Sequence, residues 1–157
     1  MKQILSVIFI TTTALLLTVS CDKTRVYEVN IPISGESWHK DTIYSFNCTI
    51  EDTLNAHNIL VNIRNTGNYR YQNLLIYVDF EMPNNHTIID TLNCILADKK
   101  GKWYGKGWGS IWSSAIPYKS NIRFPEKGNY CIKMNHAMRD ENLKAITDIG
   151  IRIEKRD

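Results

Sequence analysis

Beyond its first twenty residues the chain has no apolar run long enough to cross a bilayer, no helical apolar stripe sustained over three turns, and no internal repeat. A span needs roughly 20 apolar residues, and without a 3.6-residue period a helix bundle has no face to bury. Surplus charge is also scarce, with 19 Lys and Arg against 16 Asp and Glu. A nucleic-acid partner calls for a concentrated basic stripe, which is missing here. No Ser sits in a nucleophile-elbow context. The glycines between Gly101 and Gly109 follow neither Walker nor dinucleotide spacing, so a phosphate cradle fits poorly.

Metal and acid–base signals are equally thin. His39, His57, His86 and His136 are scattered, and His39 with Asp41 offers two ligands without a third at recognisable spacing. Asp79 and Glu81 share the polar side of one strand, where a solvated surface is the ordinary outcome. Glu51 and Asp52 are adjacent and point opposite ways, whereas a glycosidase needs two carboxylates facing one cleft. These absences point away from an enzyme and from any cofactor or metal.

What is present begins at the N-terminus. Lys2 precedes an uncharged run containing Ile4, Leu5, Val7, Ile8, Phe9, Ile10 and Leu15 to Leu17, followed by Thr18-Val19-Ser20 and Cys21. This is the layout of a secretory signal peptide, and a cysteine directly after small residues resembles a lipobox, with Thr18 departing from the usual Leu. The expectation is a signal peptide at 1–20, a lipidated Cys21 with a short tether at 21–25, and one domain at 26–157. The body then lies outside the cytoplasm, in the cell envelope, held to a membrane by N-terminal lipid at the periplasmic face or in the outer membrane. Plain secretion and an uncleaved anchor are the alternatives. Dropping Lys2 leaves 18 basic against 16 acidic side chains in the mature chain.

An odd set of cysteines remains, Cys48, Cys94 and Cys131, each inside an alternating apolar run. Buried free thiols are expected, with one disulfide as the alternative. Period-two patterns recur along the chain: Tyr27, Val29, Ile31 and Ile33; Tyr44, Phe46, Cys48 and Ile50; Ile59, Val61 and Ile63; Leu74 to Met82; Ile88, Leu92, Cys94 and Leu96; Tyr130 to His136; and Ile149, Ile151 and Ile153. Pro32 marks an edge strand, while Ile111 to Phe124 reads as a helical turn plus a strand and Arg139 to Lys144 as a polar turn. Seven to nine strands with regular turns predict an all-β fold, a single antiparallel β-sandwich of jelly-roll-like or Ig-like order.

Two features bear on contacts. Glycines around Trp103, Tyr104, Trp108 and Trp112 let a loop bend and expose flat rings, suited to glycans or to a protein partner; alternatively these rings plug one end of the sandwich. Asp41-Thr42-Ile43, Asp52-Thr53-Leu54 and Asp90-Thr91-Leu92 resemble the Asp-Thr-aliphatic acceptors for O-glycosylation, at Thr42, Thr53 and Thr91, found in exported Bacteroides-type proteins.

In order, Trp38-His39-Lys40-Asp41, Ile63-Arg64-Asn65, Tyr69-Arg70-Tyr71-Gln72-Asn73-Leu74, Leu96-Ala97-Asp98, Gly101-Lys102-Trp103-Tyr104-Gly105, Phe124-Pro125, Gly128-Asn129-Tyr130, Met138-Arg139 and Ile146 to Arg152 resemble the GldH-type gliding-motility lipoproteins of the Bacteroidetes. The resemblance covers nearly all of the mature chain. It implies a lipid-anchored envelope protein that serves the gliding apparatus through contacts with other envelope proteins and has no known catalytic centre. The alternative function is a glycan-binding envelope lipoprotein using the Trp103 to Trp112 loop. Relatives in non-gliding bacteria mean that membership does not establish motility.

Overall fold

The computed structural model describes residues 22–156, so the expected signal peptide at 1–20 and the expected lipidation residue Cys21 lie outside the described residues. Eleven strands follow in order: β1 (Arg25–Pro32), β2 (Ser37–His39), β3 (Tyr44–Ile50), β4 (His57–Thr66), β5 (Asn73–Glu81), β6 (Thr87–Ile95), β7 (Lys106–Trp108), β8 (Ile111–Ile122), β9 (Gly128–His136), β10 (Asn142–Lys144) and β11 (Ile146–Lys155). Three of them, β2, β7 and β10, have only three residues. The eight longer strands fall within the expected seven to nine.

One sheet has the order β1-β11-β4-β8-β7, the other β3-β9-β5-β6, and β10-β2 form a small ribbon beside them. Taking the eight long strands alone, the first pairs with the last, β3 with β9, β4 with β8, and β5 with β6, all antiparallel. A long hairpin rolled over itself has these pairings, which resolves the two sandwich orders in favour of the jelly roll.

The period-two residues supply the core. Ile59, Val61 and Ile63 of β4 and Ile149, Ile151 and Ile153 of β11 face Phe46, Ile76, Val78, Ile132 and Met134 of the other sheet, all buried. Pro32 does lie on an edge strand, and β1 has a bulge between Arg25 and Tyr27. Gly150 is required by packing, because a Cβ there would lie 2.1 Å from Asn30 Oδ1 and 2.6 Å from the Val29 carbonyl.

Three expectations are corrected. Ile111 to Ile122 is one continuous strand with no helical turn. Its inward residues, Trp112, Ser114, Ile116 and Tyr118, mix polar with apolar, and register shifts near Ile59 interrupt the alternation. Within Arg139 to Lys144, residues 142–144 pair with β2 and bury Leu143. The supposed tether is structured too: Arg25 opens β1, and the Lys155 N–H donates to the Thr24 carbonyl at 2.7 Å.

Candidate functional site

Chain direction sorts the loops onto two ends of the sandwich. The start of β1, the end of β11, the β3–β4 and β5–β6 connections and the start of β9 share one end. The ribbon, the β4–β5 loop, the β7–β8 hairpin and the end of β6 share the other. With the central paired strands β4 and β11 ten residues long at roughly 3.3 Å each, the ends lie roughly 30 Å apart.

At the first end Arg152 is a hub. Its guanidinium donates to Glu28 at 3.1 Å and Glu154 at 2.9 Å and also to Asp22, whose side chain in turn accepts from the Thr24 hydroxyl at 2.7 Å. The Thr24 and Arg152 hydrogen bonds hold the Asp22 carboxyl down at about 2, and Asp22 with Glu154 holds the Arg152 pKa above its ordinary range. The residue after Cys21 is thus fixed to the sheet. Lys155 pairs with Asp52 at 2.6 Å on the same end. Inside it, His57 is fully buried edge-on to Phe124 at 5.2 Å, with neither ring nitrogen hydrogen-bonded, and burial lowers its pKa.

The opposite end holds a cleft of about 680 Å³, walled by Glu36, Ser37, Thr66, Tyr69 to Tyr71 and Asp140 to Ala145. Two non-glycine residues on its wall take positive φ, Glu36 at 51° and Ala145 at 69°. Such backbone costs on the order of 1–3 kcal/mol and persists only where surroundings enforce it; here the Ala145 N–H donates to the Glu36 carbonyl and the Thr66 N–H to the Ala145 carbonyl. The Tyr69 hydroxyl donates to the Asn73 carbonyl at 2.9 Å, a backbone cap, whereas Tyr71 donates to the Asp140 carboxylate at 2.9 Å. That bond raises the Tyr71 pKa by favouring the protonated phenol. Beneath the ribbon Trp38 is fully buried, donating from Nε1 to the Thr42 carbonyl at 3.0 Å and packing edge-on against Tyr44 and His136.

The aromatic loop divides between the two roles considered for it. Trp103 is half-buried against Tyr69, and Trp112 lies flat on Gly107, where a Cβ would come within 2.7 Å of the ring. Trp108 is 93% exposed at the hairpin tip beside Ile111, and Tyr104 is exposed as well. A glycan platform needs neighbouring exposed indoles, and only Trp108 is one.

The remaining candidates are dispersed. His39 does meet Asp41 at 3.8 Å and Glu141 at 3.7 Å, on the surface; no trio of metal-ligating side chains occurs among the described residues. Glu81 pairs with Lys133 at 2.5 Å on an outer sheet face, with Asp79 beside it in register. Arg64 reaches Asp148 at 3.6 Å, while Asp98 accepts the backbone of Lys100 and Lys102. Thr42 and Thr91 are exposed, and Thr53 is half-buried in a turn set by Asp52. All three cysteines are free; Cys48 and Cys94 are buried, with thiol pKa pushed up to about 12 by desolvation, while Cys131 is half-exposed rather than buried. The cleft itself was missed by sequence reasoning, because backbone turns assemble it. Gly35, at φ 62°, signals a turn on this wall, but the positive φ of Glu36 and Ala145 has no counterpart in their residue type.

The family model described as GldH lipoprotein matches residues 25–153. The chain is 36% identical over 157 residues to a gliding motility lipoprotein GldH homolog of Christiangramia forsetii, covering 96% of both chains. It is likewise 36% identical over 151 residues to the gliding motility lipoprotein GldH of Flavobacterium johnsoniae, covering 92% of this chain and 93% of that one.

Proposed function

This chain belongs to the GldH lipoprotein family, and from that premise we propose that it is a non-enzymatic component of a gliding apparatus, lipidated at Cys21, that works by holding a contact surface away from the membrane. The relatives are named for gliding motility and not for any reaction. The observation that carries the reading is the separation of ends. Asp22, next to the lipidation residue, is clamped to Arg152 at one end, while Trp108 and the cleft lie at the other. Two or three acyl chains on Cys21 hold far better than one, and a clamped Asp22 fixes which end faces the lipid. An exposed indole beside Ile111 and Tyr104 is the kind of anchor that dominates protein contacts.

Expression in Flavobacterium johnsoniae deleted for its own GldH tests this. The intact chain is expected to restore colony spreading, and the Cys21→Ser and Trp108→Ala chains, at equal abundance, are not. Full spreading by either variant overturns the corresponding half of the reading.

A further inference from the structure

The two sheets have four edges, β1, β7, β3 and β6. Exposed edges invite pairing with another chain and are normally blunted by charge, proline, bulges or shortness. β1 carries Arg25, Glu28, Pro32 and a bulge; β7 has three residues; β3, likewise free of charge, proline and bulge, is two residues shorter than β6 and leaves no aliphatic side chain as exposed as Ile89. β6 runs nine residues, Thr87-Ile-Ile-Asp-Thr-Leu-Asn-Cys-Ile95, without proline or bulge. Its one charge, Asp90, turns inward, where the Tyr118 hydroxyl at 2.6 Å and Lys119 at 2.9 Å occupy it.

The ladder's phase shows what the edge offers. The Met82 N–H donates to the His86 carbonyl and the Leu96 N–H to the Gln72 carbonyl. Ile88, Asp90, Leu92 and Cys94 therefore exchange bonds with β5, and Thr87, Ile89, Thr91, Asn93 and Ile95 turn their N–H and C=O groups outward. None of those outward groups meets a hydrogen-bond partner among the described residues. Ile89 is 73% exposed and Ile95 47%.

We propose that the free edge of β6 takes up an extended segment of a different envelope polypeptide as an added strand of the second sheet. A row of unpaired backbone donors and acceptors is complementary to an extended chain and to little else. A second copy of this protein is the wrong occupant. Identical edges related by a twofold axis pair antiparallel, which would put the two Asp22 ends roughly 30 Å apart along the strands, out of reach of one leaflet; this step rests on the anchoring at Cys21 proposed above. Side chains of the incoming strand lie beside half-buried Ile88 and Leu92 on one face and beside Ile89 and Ile95 on the other. An uncharged, β-branched segment therefore fits.

The test places a photo-crosslinking amino acid at Ile89, Thr91 or Asn93 of the full-length lipoprotein in living cells and maps the adducts by mass spectrometry. Adducts are expected on one segment of one other polypeptide, stepping in order along it. Thr91→Pro removes an outward N–H and no bond to β5, and is expected to cut the yield about tenfold. Ile89→Lys, at an exposed side chain, is expected to cut it similarly with the melting temperature unchanged, which covers misfolding of the proline variant. Adducts on a second copy, adducts scattered without order, or yields no higher than from Ser45 on β3 overturn the proposal. Fractionation of Cys21→Ser is read separately: retention in the membrane overturns the anchoring, whereas adducts on a second copy from the anchored chain overturn the added strand alone.

Discussion

The two ends of this sandwich are built on different principles. The end bearing Asp22 is closed by charge and aromatic packing, with Arg152 bonded to three carboxylates, Lys155 to Asp52, and His57, Phe124 and Tyr130 packed edge-on beneath. The far end is stitched by backbone, with a two-stranded ribbon and the Glu36–Ala145 and Ala145–Thr66 hydrogen bonds around an open cleft, and it leaves an indole in solvent. The contrast is between an end knit mainly by side-chain ion pairs, where Leu54 is the large apolar side chain left exposed, and one knit mainly by backbone bonds, where Trp108 is. Under the proposed attachment at Cys21, the exposed indole is the apolar side chain held away from the membrane.

The comparison breaks first at Trp38. If the far end were merely loose, truncating this residue would cost little. Because the ring is fully buried and its N–H is bonded to Thr42, Trp38→Ala is expected to cost about 3–5 kcal/mol, measured by denaturant titration; under about 1 kcal/mol would show the ribbon to be an appendage. A second comparison uses one buried histidine from each end. His136 donates from Nε2 to the Trp38 carbonyl at 3.0 Å, whereas neither ring nitrogen of His57 has a partner at hydrogen-bond geometry among the described residues; burial lowers both pKa values. Protons then bind the unfolded chain before the folded one, so this stability is present above about pH 6.5 and is lost as pH falls below it, at up to about 1.4 kcal/mol per pH unit for each histidine. His57→Leu is expected to flatten that slope, as followed by melting temperature between pH 7 and 5; an unchanged slope would place the acid sensitivity elsewhere.

Arg152→Ala comes next, at about 1 kcal/mol, since its partners lie near solvent. Its sharper readout is proteolysis: with Asp22 released, cleavage between residues 22 and 25 is expected to accelerate while cleavage in the far-end loops does not. Equal acceleration at both ends would mean that Arg152 supports the whole sheet and not the attachment.

Seven of the eight long strands were readable because each buries one face, and a period of two is visible wherever apolar residues alternate, as in Leu74 to Met82. β8 hid because its inward row contains Ser114 and its outward row Ala115 and Pro117, so hydrophobicity no longer tracks direction. The jelly-roll order was out of reach, since pairing β1 with β11 depends on contacts across most of the chain. The aromatic loop was legible as a contact candidate but not in its division of labour. Gly107 accepts the Trp112 ring and Tyr69 accepts Trp103, and both are tertiary facts.

Trp108 has the smallest expected effect on folding and bears most directly on what the far end is for. A side chain 93% exposed at a hairpin tip makes almost no contact within its own chain, so Trp108→Ala is expected to shift stability by no more than about 0.5 kcal/mol. Tryptophan left in water at that tip does nothing for the fold, whereas an indole entering a partner's pocket is worth about 2 kcal/mol or more. Gly107→Ala provides the internal control, because a methyl group there displaces the Trp112 ring and perturbs the hairpin while keeping the Trp108 side chain. If the tip works through its indole, Trp108→Ala abolishes spreading with the melting temperature unchanged, and Gly107→Ala lowers the melting temperature with partial spreading retained. The reverse pattern would make the hairpin a structural prop, and the contrast between the two ends would then rest on the cleft alone.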